Sequence, residues 1–376
     1  MELHLNIFFS FAISFTIVYF VIPKIIKVSR IKKLFDVPNH RSAAKHIVPT
    51  LGGIAIMAGF VISTIISSNY YNINDLKYLF AAIITMFVIG LKDDIIGISA
   101  KKKFYFQALI AIYLVLLGNY RITNLHGIFG IQEIGYVAGV ILSIVAIVGI
   151  INAFNLIDGI DGLAGGVSLL TSLVYGFWFL YAGDIVYALA CFSLAGSLIA
   201  FLLYNVFGKT NKIFMGDTGS LLLGTIMAFM TIHFNEFIPA LETVPKGLPA
   251  ISLAIIIVPV IDTIRVFIIR ISQKRSPFSP DMNHIHHSLL KLTGGSHLAA
   301  SSIIIAVNGL IILLSFLLIG ELGNNLLFIL LLVLGFVLAG IPANIMKWQS
   351  RNDVAEEEKK ESKSIFAFSI FSKKGE

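Results

Sequence analysis

The chain has 376 residues, of which 57% are hydrophobic and only 13% are charged. Its mean hydropathy of +0.89 is far above that of soluble globular proteins, so a soluble domain of any size is excluded. A spanning helix needs roughly 20 apolar residues, and its backbone groups satisfy one another inside the bilayer. The sequence therefore predicts an all-α protein, a polytopic bundle of membrane helices.

The net charge of +7 does not indicate nucleic-acid binding. The basic residues lie in short segments between apolar runs, where they orient the chain in the membrane. The single cysteine, Cys191, lies in an apolar run, which excludes an intrachain disulfide and a cysteine-based metal cluster.

Apolar windows predict about eleven spans. They lie near residues 4–23, 50–68, 76–92, 104–119, 136–152, 164–182, 185–204, 219–235, 249–270, 298–319 and 325–345. The connections after odd-numbered spans, together with the C-terminal segment, hold 24 Lys and Arg residues, whereas the other connections hold three. By the positive-inside rule we expect an external N-terminus and a cytoplasmic C-terminus. We expect residues 1–345 to form the membrane domain, residues 346–376 a charged cytoplasmic tail, flexible or loosely helical, and residues 124–135 a small hairpin.

Several acidic residues stand at the predicted cytoplasmic ends of the apolar helices, where ionisable groups indicate function. Asp93 and Asp94 close the third span. Adjacent carboxylates repel each other unless a cation lies nearby, and their hard oxygen atoms suit Mg²⁺. The alternative for this pair alone is an interfacial loop whose acids face water.

The stretch from Asn152 to Gly166 is more specific, because it contains two acids, two Asn and no basic residue. If Asp158 and Asp161 open the sixth span, their spacing places both carboxylates on one face, and the glycines permit close backbone approach. The alternative is an acidic N-cap followed by a small-residue packing helix.

The connection from Asn205 to Ser220 places Asp217 between two glycines at a helix start, where free N–H groups can meet phosphate oxygens. Phe214 just before it can stack on a nucleobase. The alternative is a polar turn with an N-capping Asp and a core-facing Phe.

Three of the nine histidines, His284, His286 and His287, lie within four positions after the ninth span. If a helix starts there, His284 and His287 share a face and can donate hydrogen bonds to a diphosphate. A zinc site and a purely structural cluster are the alternatives. Asp262 and Arg265, three residues apart inside the ninth span, are expected to form a structural ion pair.

Together these four motifs resemble the polyprenyl-phosphate N-acetylhexosamine-1-phosphate transferases. The resemblance runs in order through roughly residues 30–290, and the His-Ile-His-His form is similar to the N-acetylglucosamine-1-phosphate branch of that family. Family members commonly place a His three residues after the Arg of the first loop. This chain has Ala44 at that position and its nearest histidine is His46.

The resemblance implies transfer of a sugar 1-phosphate from a UDP-sugar to polyprenyl phosphate, with release of UMP, at the cytoplasmic face of a bacterial inner membrane. It implies Mg²⁺, or alternatively Mn²⁺, held by Asp217, with Asp93 and Asp94 either sharing the metal or preparing the lipid phosphate for attack. Asp158 and Asp161 would hold the nucleotide and the reacting geometry. The implied substrate contacts are Arg41, Lys103, Asn155, Asn205, Phe214, His284, His286 and His287. Membrane lipid is a further expected partner, nucleic acid is not, and a homodimer is left open.

Other functions remain open at this point. The same chemistry could use a UDP-linked muramoyl pentapeptide or another UDP-N-acetyl-deoxyhexose. A secondary transporter would place its polar residues in mid-span and often shows internal repeats, and no repeat is visible here. A scaffold for a glycan-assembly complex would tolerate changes in the Asp and His motifs.

Overall fold

The computed structural model describes residues 2–35, 48–68, 71–74, 76–237, 248–277, 279 and 281–372. Helices dominate these residues, no strand is assigned among them, and the predicted all-α fold is confirmed there. In chain order the helices are α1 (Glu2–Lys32), α2 (Gly52–Ser67), α3 (Leu76–Ile96), α4 (Ala100–Leu116), α5 (Tyr136–Leu156), α6 (Leu163–Ala182), α7 (Ile185–Asn205), α8 (Gly216–Glu236), α9 (Leu248–Ile255), α10 (Ile257–Ser272), α11 (Ile285–Leu292) and α12 (His297–Ser372).

Each of the eleven predicted spans coincides with an apolar helical segment. By length and composition alone, five helices of the described chain can cross a bilayer, or six if α9 and α10, which meet at 76°, form one broken span. The long helix α12 contains two predicted spans, divided at Gly323, where φ is +68°. The number of spans, the orientation of the termini and the domain boundary at residue 345 stay predictions.

Helix α8 forms the centre of the bundle. Nearly all of its residues are buried, and it packs against α2, α3, α5, α6 and α9. Because this helix faces protein instead of lipid, it carries more polar residues than a lipid-facing span. The Thr225 and Thr231 hydroxyls, for example, donate to backbone carbonyls one turn earlier. The central position brings the first turn of α8 beside the ends of α3 and α5.

Two glycines allow the start of α8 to contact the start of α2 through the backbone. A Cβ atom on Gly53 would lie 2.3 Å from the Gly219 nitrogen. At Gly216, φ is +73°, and a Cβ atom there would lie 2.0 Å from the Thr50 carbonyl oxygen. Any larger residue would therefore separate the two helix starts.

The predicted hairpin is confirmed at the other end of α8. The Ile134 N–H donates to the Thr123 carbonyl and the Leu125 N–H to the Gln132 carbonyl, both at 2.8 Å. Glu236, the last residue of α8, accepts the Thr123 N–H at 2.9 Å. Since 21 helical residues span about 30 Å, the hairpin lies far from Gly216.

Candidate active site

The first turn of α8 is closed by a side chain from another helix. Asp94, near the end of α3, accepts the Asp217 N–H at 2.8 Å and the Thr218 N–H at 2.9 Å. The first N–H groups of a helix have no partner within it, so a carboxylate here acts as an N-cap. Both Asp94 oxygens are therefore engaged with α8, and the metal and catalytic roles predicted for this residue stay predictions.

The segment before α2 pairs with the segment before α8. The Phe214 N–H donates to the Pro49 carbonyl at 2.8 Å, and the Gly52 and Gly53 N–H groups donate to the Phe214 and Met215 carbonyls at 2.9 and 3.0 Å. Phe214 is half-buried. Hydrogen bonds at both its N–H and its carbonyl fix the Phe214 backbone. The ring therefore projects from a fixed segment shortly before Asp217.

Asp217 is the point at which the predicted motifs meet. Its Oδ1 accepts from Lys103 Nζ at 3.0 Å and from Asn155 Nδ2 at 2.8 Å. Lys103 also pairs with the Asp93 carboxylate, and Asn155 Nδ2 also contacts the Ser220 hydroxyl at 2.8 Å. Of the Asp217 side chain, 34% is exposed, so a ligand can reach this carboxylate. The structure thus brings four predicted site residues, Asp93, Lys103, Asn155 and Asp217, into one network.

Asp158 and Asp161 have different surroundings, although both belong to loop 157–162 between α5 and α6. Burial would raise the pKa of Asp161, but hydrogen bonds from His297 and Lys212 outweigh it and hold that pKa below its ordinary value. The Asp158 carboxylate has no hydrogen-bond or ion-pair partner among the described residues. Burial, together with the carboxylates of Asp217, Asp94 and Asp161, raises the pKa of Asp158 to about 8.

The histidine cluster touches loop 157–162. A Cβ atom on Gly159 would lie 2.1 Å from His286 Nε2, so the imidazole rests directly on the glycine backbone. His286 is buried, and its burial, followed by the nearby His287, lowers the pKa of His286 to about 3. His287 is half-buried, with its ring centroid 4.3 Å from that of His286. A neutral His286 and a more accessible His287 thus lie at one side of the acidic site.

His284 is held by the Asp262 carboxylate. Its Nδ1 lies 2.8 Å from Asp262 Oδ2, and the other Asp262 oxygen accepts from Ile285 N–H and from Arg265 Nη2, both at 3.0 Å. The expected ion pair between Asp262 and Arg265 is confirmed. His284 is the N-cap residue of α11 and precedes its first helical residue, so the expected shared helix face with His287 is not observed.

The zinc alternative can be weighed on the same contacts. Ligand atoms of Asp262, His284 and His286 lie within 4.8 Å of one another. However, Arg265 pairs with Asp262, and Arg270 Nη2 lies 3.4 Å from His284 Nε2. Arg270 itself pairs with Asp281 at 2.8 Å. Because Arg265 already compensates the Asp262 carboxylate, this group does not need a dication to balance its charge.

A hard divalent cation fits the acidic side of the site better. Asp217 uses only Oδ1 in its hydrogen bonds, and Asp158 has no partner in the described residues. Burial and, after it, repulsion by neighbouring carboxylates raise the pKa of Asp158, and a bound cation would remove that repulsion. The donor set is carboxylate oxygen, which Mg²⁺ prefers. Asp217 and Asp158 therefore have carboxylate oxygens that could hold it.

Two predicted residues need separate mention. Asn205 is buried, and its amide accepts the Gly162 N–H at 2.7 Å and donates to the Ile213 carbonyl at 3.0 Å. Its observed partners are thus backbone groups that join loop 157–162 to the segment before α8, and a substrate contact stays a prediction. Arg41 lies outside the residues that the structure describes.

Sequence reasoning missed two site residues. Lys212 was counted only among the basic residues that orient the chain, and His297 is an isolated histidine at the start of α12. Both contact Asp161, Lys212 Nζ at 2.5 Å and His297 Nδ1 at 3.0 Å from Oδ2. No spacing in the sequence connects these three residues, although the nearness of Lys212 to Phe214 was an available indication.

Comparison with known proteins gives consistent results. Residues 76–235 match the family described as glycosyl transferase family 4. The chain is 31% identical over 268 residues to the undecaprenyl-phosphate alpha-N-acetylglucosaminyl 1-phosphate transferase of Escherichia coli strain K12. The aligned region covers 70% of this chain and 71% of that protein. The chain is 34% identical over 265 residues to the Haemophilus influenzae protein of the same name, covering 69% and 72%. The corresponding Yersinia pestis protein is 31% identical over 261 residues, covering 69% and 70%.

Proposed function

Because this chain belongs to glycosyl transferase family 4, we propose that it transfers N-acetylglucosamine 1-phosphate from UDP-N-acetylglucosamine to undecaprenyl phosphate. An oxygen of the lipid phosphate attacks the phosphorus atom next to the sugar. The bond from that phosphorus to the bridging oxygen breaks, and the bridging oxygen leaves with UMP. The product is undecaprenyl diphosphate N-acetylglucosamine.

One observation carries the proposal: Asp217 joins residues from separate motifs. Lys103 and Asn155 donate to its carboxylate, while Asp94 caps its backbone. Each segment arrives on a different helix, yet all of them meet at one partly exposed carboxylate. A scaffold has no need for such a convergence, and a transporter would require polar groups in mid-span.

We propose that the acidic residues form a cation site, in which Asp217 and Asp158 bind Mg²⁺, with Mn²⁺ as a substitute. Both reactants are anions, and a bound divalent cation would neutralise charge at the diphosphate. Lys103 places one fixed positive charge between Asp93 and Asp217. Asp94 keeps the start of α8 in place, so the Asp217 side chain points into the site and its backbone does not shift.

The remaining residues define the donor side. We assign the Phe214 ring to the uracil, because it is half-buried on a segment whose backbone is fixed. His286 and His287 lie against loop 157–162 and would face the diphosphate or the sugar. A neutral imidazole can donate one hydrogen bond to an anion without being charged.

The excess of basic residues in alternate connections supports a site on the cytoplasmic side of a bacterial inner membrane. There the nucleotide sugar would arrive from the cytosol. The lipid phosphate would enter sideways from the bilayer, so a site at the helix ends can meet both substrates.

The experiment uses the full chain in detergent with undecaprenyl phosphate, and UMP release is measured for UDP-N-acetylglucosamine, UDP-N-acetylgalactosamine and the UDP-linked muramoyl pentapeptide. We expect the first donor to be used most efficiently. Preference for either other donor would contradict the proposed substrate. Absence of UMP with every donor, together with solute accumulation in sealed liposomes, would indicate a transporter.

A further inference from the structure

The carboxylate of Asp161 joins three segments that lie far apart along the chain. Asp161 belongs to loop 157–162, Lys212 belongs to the connection 206–215 between α7 and α8, and His297 is the first residue of α12. Both side chains reach the same oxygen, Asp161 Oδ2. Only 10% of the Asp161 side chain is exposed, so water screens these contacts less than it screens a surface ion pair.

These contacts are not explained by helix capping or by topology. The N-cap residue of α6 is Gly162, which has no side chain, and Asp161 precedes it, so the Asp161 carboxylate is not the N-cap of that helix. Lys209 lies in the same connection as Lys212 and has the same charge, but it is exposed and forms no ion pair within the described residues. Membrane orientation would require only the charge of Lys212, whereas the structure also places its ammonium on a half-buried carboxylate.

Two of the segments joined at Asp161, loop 157–162 and the connection 206–215, contain the residues proposed to bind the two ends of the nucleotide sugar. Loop 157–162 also carries Asp158, and the connection also carries Phe214. The Lys212 ammonium lies 5.6 Å from the Phe214 ring centroid, within the range of a cation–π contact. The gap between Asp158 and Phe214 therefore depends on how firmly the loop and the connection are held together.

We propose that Lys212 and His297 are positioning residues for the nucleotide sugar. Through Asp161 they hold loop 157–162 against the connection 206–215 and so set the distance between the diphosphate side and the uracil side of the donor site. The inference rests on the proposed function, because that function assigns Asp158 and Phe214 to the two ends of the donor.

The proposed role separates binding of the donor from chemistry. Lys212 and His297 are both engaged by Asp161, whereas the groups around Asp217 are reached through α3, α4 and α5. Loss of either side chain should loosen the donor site and leave the groups around Asp217 in place. The expected result is a higher KM for the donor, with little change in kcat and in the KM for the lipid acceptor.

The test compares Lys212→Met, Lys212→Arg and His297→Gln with the wild type, each as the full chain in detergent. Lys209→Met is the matched control, because it removes the same charge from the same connection. We expect the KM and the calorimetric Kd for UDP-N-acetylglucosamine to rise about tenfold in Lys212→Met and His297→Gln, as for removal of an outer-shell partner. Lys212→Arg should restore most of this loss, and Lys209→Met should match the wild type.

Several outcomes would overturn the inference. These are an unchanged donor KM and Kd in Lys212→Met and His297→Gln, a fall in kcat alone, or an equal loss in Lys209→Met. If Lys212→Met does not fold, His297→Gln and Lys212→Arg decide the question. If the wild type binds the donor but releases no UMP, the proposed function fails while the donor Kd still tests the positioning role. If the wild type does not bind the donor, the inference falls together with the proposed function.

Discussion

Asp94 lies on α3, yet its carboxylate accepts the backbone N–H of Asp217, on α8, at 2.8 Å. One acidic residue thereby fixes the position of another. This arrangement explains why two adjacent aspartates are needed at the end of α3. That end lies beside the start of α8, which is far away along the chain. Asp93 pairs with Lys103, while Asp94 holds the backbone from which Asp217 projects.

Substitution of Asp94 separates capping from chemistry. Asn caps a helix nearly as well as Asp, whereas loss of the cap costs about 1 to 2 kcal/mol. We expect Asp94→Ala to lower the melting temperature and activity together. Asp94→Asn keeps one acceptor oxygen but turns its amide N–H groups toward the other backbone N–H, so we expect a smaller loss of both. Thermal unfolding and UMP release are measured on the same preparations. If both variants are inactive while their melting temperatures match the wild type, Asp94 acts in the chemistry itself.

Lys103 separates the carboxylates of Asp93 and Asp217, so its removal should leave two anions facing each other. We expect Lys103→Met to lower kcat/KM about 100-fold, since truncating one partner of a charge pair costs about 2 to 5 kcal/mol. The same variant should need less Mg²⁺ for half-maximal activity, because one competing positive charge is gone. Steady-state kinetics over a Mg²⁺ series provide the measurement. An unchanged Mg²⁺ requirement would show that the ammonium and the cation do not share this site.

The Asp158 carboxyl should couple cation binding to pH. Its pKa of about 8 in the cation-free protein means that it is largely protonated at pH 7 and ionises as the pH rises through 8. As the pH rises toward 8, the half-saturating Mg²⁺ concentration should therefore fall about tenfold per pH unit, because the cation competes with one proton. Above pH 8 it should level off. Activity is measured over Mg²⁺ series between pH 6.5 and 9.

The control for this coupling is Asp158→Asn, which removes the ionising group. This variant should bind Mg²⁺ more weakly and with a much shallower pH dependence. If it keeps the steep dependence of the wild type, another group carries the coupling, and the assignment of Asp158 as a ligand is wrong.

Gly159 allows loop 157–162 to contact His286. Because a Cβ atom there would lie 2.1 Å from the imidazole, Gly159→Ala should push the loop and the histidine apart and destabilise the protein by about 1 to 3 kcal/mol. A higher KM for the donor should accompany the loss. Gly149→Ala in α5 is the matched control, because a Cβ atom on Gly149 has no neighbour within 4 Å. Equal behaviour of the two variants in thermal unfolding and kinetics would show that the close contact is unimportant.

The sequence alone predicted the parts of the fold that depend on local pattern. Apolar windows located the helical segments, and the motifs placed acidic residues at helix ends, where the structure has Asp94 and Asp217. The ion pair between Asp262 and Arg265 was predictable because the two residues lie three apart on one helix. The hairpin at 124–135 was also predictable from its glycines.

The tertiary roles were not predictable, because they depend on which helix ends meet. Asp94 and Asp217 are far apart in the chain, and no pattern in either motif shows that one caps the other. Lys212 and His297 have ordinary local surroundings in the sequence, and only the packing of α12 beside loop 157–162 brings them to Asp161. The bend of 76° between α9 and α10, by contrast, has a signal in the sequence. Pro259, in the first turn of α10, has no N–H to donate to the Ile255 carbonyl of α9.

The central claim is that a carboxylate at the start of α8 organises transfer of a sugar phosphate to a lipid. The most direct measurement is mass spectrometry of the lipid product formed from UDP-N-acetylglucosamine and undecaprenyl phosphate by the wild type, Asp217→Asn and the exposed control Glu133→Gln. We expect undecaprenyl diphosphate N-acetylglucosamine from the wild type and the control, and about 100-fold less or none from Asp217→Asn, because the electrostatic stabilisation at the reacting phosphate is lost. Near-normal product from a folded Asp217→Asn protein would contradict the account.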